Sequence, residues 1–261
     1  MKKKNEKKTV RYRLASLVRL VTGKPRPKTA AVILAAGSGT RFGGERPKQF
    51  ALLSGVPVLI RSVLAFEQSP YVDEIVIVSR SEDIFEVRAL CKEYSLKKLK
   101  AIVEGGKTRQ QSSVKGALAV SESVEFVAIH DAARCLVTPD TIGHVVAEAY
   151  VYGAASAASP IYDTVKLVDQ VGFISKTVDR EKLVAAETPQ VFRKKLYLSA
   201  AATAEQSGAA VTDDNSLLEA FGQAVKSVFS VGENFKITTA SDLLRAEAVL
   251  ARRQEKESAD K

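Results

Sequence analysis

The chain contains no tryptophan, one methionine, two cysteines and two histidines, and each shortage removes a class of protein. Cys91 and Cys135 stand alone, with no CxxC pair, so neither a disulfide framework nor a zinc ribbon is available and a reduced, cytoplasmic setting is expected. His130 and His144 are too few and too far apart for a zinc site. No apolar run approaches the roughly 20 residues needed to cross a bilayer. The apolar residues near the start are few and interrupted by Arg19, which argues against a secretory signal. Acidic residues are scarce at one end only. Residues 1–28 hold eleven Lys and Arg against the single acid Glu6, whereas the whole chain is +9, so everything after the tail is near −1. The basic character belongs to the tail, and the main case for a nucleic-acid-binding body disappears. Residues 1–29 read as a disordered solubilising extension, with a membrane-surface or partner helix and a targeting peptide as competing readings.

What is present is organised around residues 31–50, AVILAAGSGTRFGGERPKQF. The apolar run Ala31–Ala36 is short and stopped by glycine, as a buried strand would be. Gly37, Gly39, Gly43 and Gly44 allow tight turning and bring backbone amides close to an anion. Arg41, Arg46 and Lys48 then place positive charge where a polyphosphate would lie. Most surface cations are merely solvated. Because these share a glycine-rich loop at a strand's carboxyl end, a triphosphate is the economical explanation for Arg41 and Lys48.

Downstream, strand and helix patterns alternate. VPVLIRSVLAF, SEDIFEVRALCKEY, TRQQSSVKGALAVS and PDTIGHVVAEAYVYG have helical spacing, the last opened by Pro139 with Thr138 as its cap. DEIVIVS, KAIVEGG and EFVAIHD read as strands. The alternation predicts an α/β fold, a mostly parallel sheet sandwiched by helices. Ligands of such sheets lie at the carboxyl ends of strands. Gly37–Lys48, Glu104–Arg109 and His130–Arg134 should therefore meet on one edge. YDTVKLVDQVGFISKTVD breaks the rhythm, and its two β-rich runs around Gly172 predict a hairpin arm projecting from the sheet. ETPQVF returns the chain to the body. RKKLYLSAAATAEQ and TDDNSLLEAFG read as helices, the second with Ser216 and Glu219 at capping-box spacing. QAVKSVFSV and NFKITT read as strands, and SDLLRAEAVLARRQ as a closing helix. The expected division is an extension at 1–29, a body at 30–158 and 183–252, and an arm at 159–182.

Several residues keep two readings at this level. Asp131 in HDAAR either caps the following amides or serves an acceptor hydroxyl or metal–phosphate cluster. Ala101–Thr108 fits a loosened GxxxxGK[ST] phosphate loop, but the strict pattern fails at Ala101 and leaves the richer Gly37–Lys48 loop unexplained. GSGTRFG resembles a dinucleotide fingerprint, yet its third glycine is one position late and no acid ends DEIVIVS. Lys236 sits uncomfortably in the middle of an expected strand unless it points outward. Thr212, Asp213 and Asp214 fit helix caps, and Arg180 fits an ordinary surface cation.

Taken in order, AAGSGTRFG…PKQF, GGKTRQQSS, HDAAR, TVDREKL…TPQVF, TDDNSLLE and NFKITT closely resemble the 2-C-methyl-D-erythritol 4-phosphate cytidylyltransferase family over about residues 30–250. The related ribitol 5-phosphate cytidylyltransferases share the first loop and the NFKITT-like segment. They typically carry a serine–valine pair where this chain has Ala132–Ala133, and lack the TVDR form of the arm. The resemblance implies a nucleotidyltransferase α/β sandwich whose β-arm makes a homodimer, using CTP, methylerythritol phosphate and Mg²⁺ in non-mevalonate isoprenoid biosynthesis. It implies that the main chain of Ala35, Ala36, Gly37, Ser38 and Gly39, with Ser112, holds cytidine, and that Gly105 and Gly106 line the base. It assigns Arg41 and Lys48 to the triphosphate. Asp131, Arg180, Thr188, Thr212 and Lys236 would hold the acceptor, with Arg180 and Thr188 reaching across the dimer. No protein metal ligand is assigned. Cys135 stands where the family usually has proline, and Val184 where tryptophan is common. Both substitutions are expected to alter packing and not chemistry. A non-catalytic nucleotide-sensing protein on the same fold is the alternative from a different class.

Overall fold

The computed structural model describes residues 25–37, 42, 47–207 and 212–259. Residues 1–24 of the predicted extension lie outside the described residues, as do Ser38, Gly39 and Arg41. The end of the extension moves back from 29. Arg26 forks onto both oxygens of Asp73 at 2.7 Å, and Thr29 already opens the first strand.

One seven-stranded sheet organises the chain. At its centre β1 (Thr29–Leu34) lies between β4 (Glu74–Ser79) and β6 (Phe126–Asp131), with β5 (Leu99–Glu104) outside β4. Beyond β6 come β10 (Val184–Arg193), β7 (Ala154–Pro160) and β11 (Lys226–Phe229). The short strands β2 (Leu52–Leu53) and β3 (Val56–Pro57) form a separate hairpin. All neighbours in the sheet are parallel except β10, which runs antiparallel to both β6 and β7. Leu34 stands opposite Asp131 on one side and Val78 on the other, and Ser79 opposite Glu104. The strand ends are thus level, and the loops after β1, β5 and β6 open on one edge, as the expected meeting of polar clusters requires.

The central strands are apolar on both faces because helices cover both. Ile33, Ile75, Ile77 and Ala128 pack against Leu59, Val63 and Phe66 of α1 (Val58–Gln68), Val87 of α2 (Ile84–Glu93) and Val146 of α4 (Pro139–Tyr152). Val32, Val76, Val78 and Ile129 meet Ala117 of α3 (Arg109–Leu118), Ala200 of α5 (Lys194–Ser207) and Leu218 of α6 (Asp214–Ala220). A third cluster joins Leu53, Cys135 and Ile237 to Ala246 and Val249 of α7 (Ala240–Ala259). Cys135 is buried there, and burial pushes its thiol up to about 12, so the side chain that replaces proline acts as packing.

Thr138 caps α4 as expected, its hydroxyl accepting from Thr141 N–H. The cap of α6 differs from the expected one. Asp213, not Ser216, is the N-cap, and Ser216 supplies the reciprocal bond from the third helical position. NFKITT is likewise not a strand: residues 234–239 run outside the sheet, with Ile237 buried and held by its N–H to the Ala133 carbonyl at 2.8 Å. Finally, β8 (Lys166–Val168) and β9 (Ile174–Thr177) pair antiparallel about Gly172, whose φ of +95° suits glycine. Every residue of that ribbon's strands is exposed.

Candidate active site

Asp131 ends β6 at the ligand edge and is the centre of the site. One carboxylate oxygen accepts from Lys236 Nζ at 2.7 Å and the other from Arg109 Nε at 3.1 Å. Its backbone N–H donates to Thr188 Oγ1 at 3.1 Å, and that hydroxyl is paired with His130 Nδ1 at 3.0 Å. The capping reading of Asp131 is therefore set aside, since both oxygens serve cations. Burial alone would push this carboxyl up, but Arg109 and Lys236 beside it hold it well below the usual carboxylate range. Burial pushes the His130 imidazole down to about 3, so His130 is a neutral support for Thr188. Lys48, on the short turn Lys48–Phe50, donates to the Ile237 carbonyl at 3.0 Å, which brings it beside the segment that carries Lys236.

The glycine loop after β5 forms the neighbouring wall. A Cβ at Gly105 would come within 2.7 Å of Ala36 Cβ and 2.9 Å of Ser112 Oγ, so this loop lies directly against the end of β1. Its amides are already used. Gly105 N–H donates to the Ser79 carbonyl, Gly106 N–H to Ser112 Oγ and Lys107 N–H to Gln111 Oε1. A phosphate loop needs those N–H groups for its ligand, so the strand–loop–helix shape here does not work as one. Ser112 is buried and gives its own proton to the Thr108 carbonyl at 3.0 Å, so it shapes the loop that Gly105 and Gly106 form.

Ala35, Ala36 and Gly37 continue from β1 at the same edge, and Ala35 N–H donates to the Val78 carbonyl at 2.7 Å. Thr212 sits just ahead of α6, its N–H bonded to Ser216 Oγ. The structure thus gathers Lys48, Lys236, Asp131, Thr188, Gly105 and Gly106 around one edge. Thr188 is buried, and its hydroxyl accepts from Asp131 N–H and is paired with His130 of its own chain. Arg180 lies apart on the foot of the ribbon, where it donates to the Tyr162 carbonyl. Among the described residues it makes no hydrogen bond to the Asp131 cluster.

Three participants had no role assigned from sequence. Arg109 stood in a flagged cluster without a function, Asp214 looked like a cap, and Tyr197 lay unremarked in the helix RKKLYLSAAATAEQ. Asp214 Oδ2 accepts from Arg109 at 2.6 Å and its Oδ1 from Tyr197 at 2.8 Å. Only the doubled acid of TDDN hinted that one of the two was not a cap. For a divalent ion, the described residues contain no cluster of three or more His, Cys, Asp or Glu donors, and both Asp131 oxygens are engaged.

The ligand edge of this mostly parallel sheet sets Lys48 and Lys236 beside a glycine loop whose amides are already spent, which a P-loop hydrolase could not use. The class that the comparisons give for such a chain is that of the nucleotidyltransferases. Comparison with known proteins narrows the class. The family model of 2-C-methyl-D-erythritol 4-phosphate cytidylyltransferase matches residues 29–252, and the chain belongs to that family. A relative of that name from Pelotomaculum thermopropionicum is 42% identical over 87% of this chain and 96% of its own length. Another, from Desulforamulus reducens, is 44% identical over 85% and 96%. Among solved structures, 4-diphosphocytidyl-2C-methyl-D-erythritol synthase from Anaerococcus prevotii superposes with a TM-score of 0.78 at 29% identity, covering 86% of this chain and 96% of that one. No helix among the described residues is long and apolar enough to cross a membrane.

Proposed function

We propose that the chain transfers CMP from CTP to 2-C-methyl-D-erythritol 4-phosphate, giving the cytidine diphosphate derivative and pyrophosphate. The observation that carries this reading is Asp131 clasped by Lys236, with Lys48 alongside, on the edge where the β1 and β5 loops meet, in a chain of this family.

A phosphate oxygen of the acceptor attacks the α-phosphorus of CTP. The new P–O bond forms as the α–β anhydride bond breaks, and pyrophosphate leaves with the electron pair. The nucleophile is already an anion at neutral pH, so no general base is required. The barrier is electrostatic, because one polyanion must approach another. Fixed positive charge from Arg41, Lys48 and Lys236 offsets that repulsion and aligns the reacting groups. Magnesium, when bound with the nucleotide, neutralises part of the triphosphate charge. Asp131 and Thr212 orient the acceptor, Thr188 supports Asp131, and Ala35–Gly39, Gly105, Gly106 and Ser112 frame the nucleotide. The protein acts as a homodimer through the ribbon at 159–182, with Arg180 delivered to the other subunit's acceptor, in the cytoplasm.

Pyrophosphate release with CTP, Mg²⁺ and methylerythritol phosphate tests the proposal, with ribitol 5-phosphate and other polyol phosphates run in parallel. Turnover with methylerythritol phosphate at least tenfold above the others is expected. A clear preference for ribitol phosphate overturns the acceptor assignment, and no release with any acceptor overturns catalysis.

A further inference from the structure

We propose that Arg109 is a positioning residue for this reaction, locking Asp131 and the start of α6 into one arrangement before substrates arrive. The inference rests on the cytidylyltransferase reading above. Arg109 is the first residue of α3, and its planar guanidinium spans two carboxylates from distant parts of the chain. Nε meets Asp131 Oδ1 at 3.1 Å and Nη1 meets Asp214 Oδ2 at 2.6 Å. The remaining oxygens are also taken, Asp214 Oδ1 by the Tyr197 hydroxyl and Asp131 Oδ2 by Lys236. The result is a continuous run, Tyr197–Asp214–Arg109–Asp131–Lys236, with two carboxylates balanced by two cations.

The two ends of the run differ in environment. The Asp214 side chain is 1% exposed, whereas that of Lys236 is 36% exposed. The network is therefore anchored in the core at Tyr197 and opens onto the substrate edge at Lys236, with Arg109 as the joint. Two residues expected to touch the acceptor depend on that joint. Asp131 is held directly, and Thr212 precedes the Asp213–Ser216 cap of the helix whose first residue Arg109 grips. A fork can serve both carboxylates at once, while a lysine ammonium offers one point charge, so the geometry is specific to arginine.

Removing the guanidinium has two separable effects. It leaves Asp214 buried without its cation, which is a stability effect. It also releases Asp131, which is a positioning effect. The variants R109Q and R109Q/D214N distinguish them, because the second substitution removes the stranded charge without restoring the grip on Asp131. With the acceptor that the wild type prefers, R109Q/D214N is expected to regain the wild-type melting temperature. Its kcat/KM for the acceptor should stay down about a hundredfold, the scale of a small misplacement at a reacting centre, with CTP affinity within about threefold of wild type. Recovery of turnover together with stability would make Arg109 merely structural and overturn the proposal. So would wild-type turnover in R109Q itself. If the double variant does not fold, R109K, which leaves Asp214 a cation, is read instead. A folded R109K losing at least tenfold in acceptor kcat/KM supports the proposal, and unchanged kcat/KM overturns it. Failure of the cytidylyltransferase reading would show in the wild type, and failure of this inference only in the variants.

Discussion

Lys48 and Lys236 approach the same edge from opposite directions in the sequence. Lys48 reaches the carbonyl of Ile237, and Lys236 reaches Asp131. A cation whose contribution appears mainly as charge accumulates between two phosphates should affect turnover far more than folding. Lys48→Ala is expected to melt within about 2 °C of wild type while kcat falls on the order of a hundred- to thousandfold, or ~3–4 kcal/mol. Steady-state kinetics beside a thermal melt checks both halves, and wild-type kcat would remove Lys48 from the mechanism. His130 makes a different prediction. Burial depresses its imidazole from 6.5 to about 3, so between those values the unfolded chain takes up a proton that the folded chain refuses. Stability from this group is therefore lost as pH falls, by about 2 kcal/mol between roughly pH 7 and 5, a window above most carboxylate titrations. His130→Gln, which cannot titrate, should be less stable at pH 7 yet show a flatter dependence in urea melts over that window. An unchanged slope would place the titration elsewhere.

At the scale of elements, α3 is the part on which the site geometry depends, and it sits unusually close to the sheet. A Cβ at Gly116 would lie 2.3 Å from Val32 Cγ1 and 2.7 Å from Val78 Cγ2. Both valines are fully buried β-branched side chains, so neither can swing aside. Alanine would gain about 1 kcal/mol of helix propensity, but overpacking costs about 1–3 kcal/mol, and two such contacts put the outcome on the losing side. Gly116→Ala is expected to lower denaturant stability by about 1–2 kcal/mol and to reduce turnover as well, because α3 begins at Arg109. A more stable variant would refute this packing account.

The same elements show where sequence reasoning reached and where it stopped. Helices and central strands were legible because their apolar spacing repeats, and the meeting of three polar clusters followed from parallel strands having level ends. AASAASP gave no strand signal, since alanine and serine favour none, yet it forms β7, wedged between β10 and β11 beneath α4. NFKITT read as a strand because it alternates. Ile237 instead serves the third cluster, and the segment pairs with no strand. Asp131 and Lys236 were legible as candidates, but their contact, 105 residues apart in sequence, was not. The Arg109–Asp214 pair was hidden for the same reason, because long-range ion pairs leave no local pattern.

For the whole molecule the open question is what covers the ribbon. Two strands alone are marginal in water, and this pair carries Leu167, Val168 and Ile174 exposed, with Tyr162, Val171 and Phe173 beside them. Arg180 at its foot makes no hydrogen bond to the Asp131 cluster among the described residues, although the family resemblance assigns it to the acceptor. A two-fold dimer reconciles these facts if each ribbon crosses to the other subunit. Subunit mixing gives a sharp test, because Lys48 would act within its own chain and Arg180 across. Lys48→Ala and Arg180→Ala chains, each nearly inactive alone, would form a mixed dimer with one site carrying both lesions and the other carrying neither. Co-refolding equal amounts should restore about a quarter of wild-type turnover, half of the dimers being mixed with one intact site each. Action of both residues within one chain predicts no restoration at all. Mixed dimers confirmed by differently tagged chains, yet lacking activity, would place Arg180 in its own chain's site, whereas wild-type turnover in Arg180→Ala alone would return it to the ordinary surface and leave the ribbon as an assembly element only.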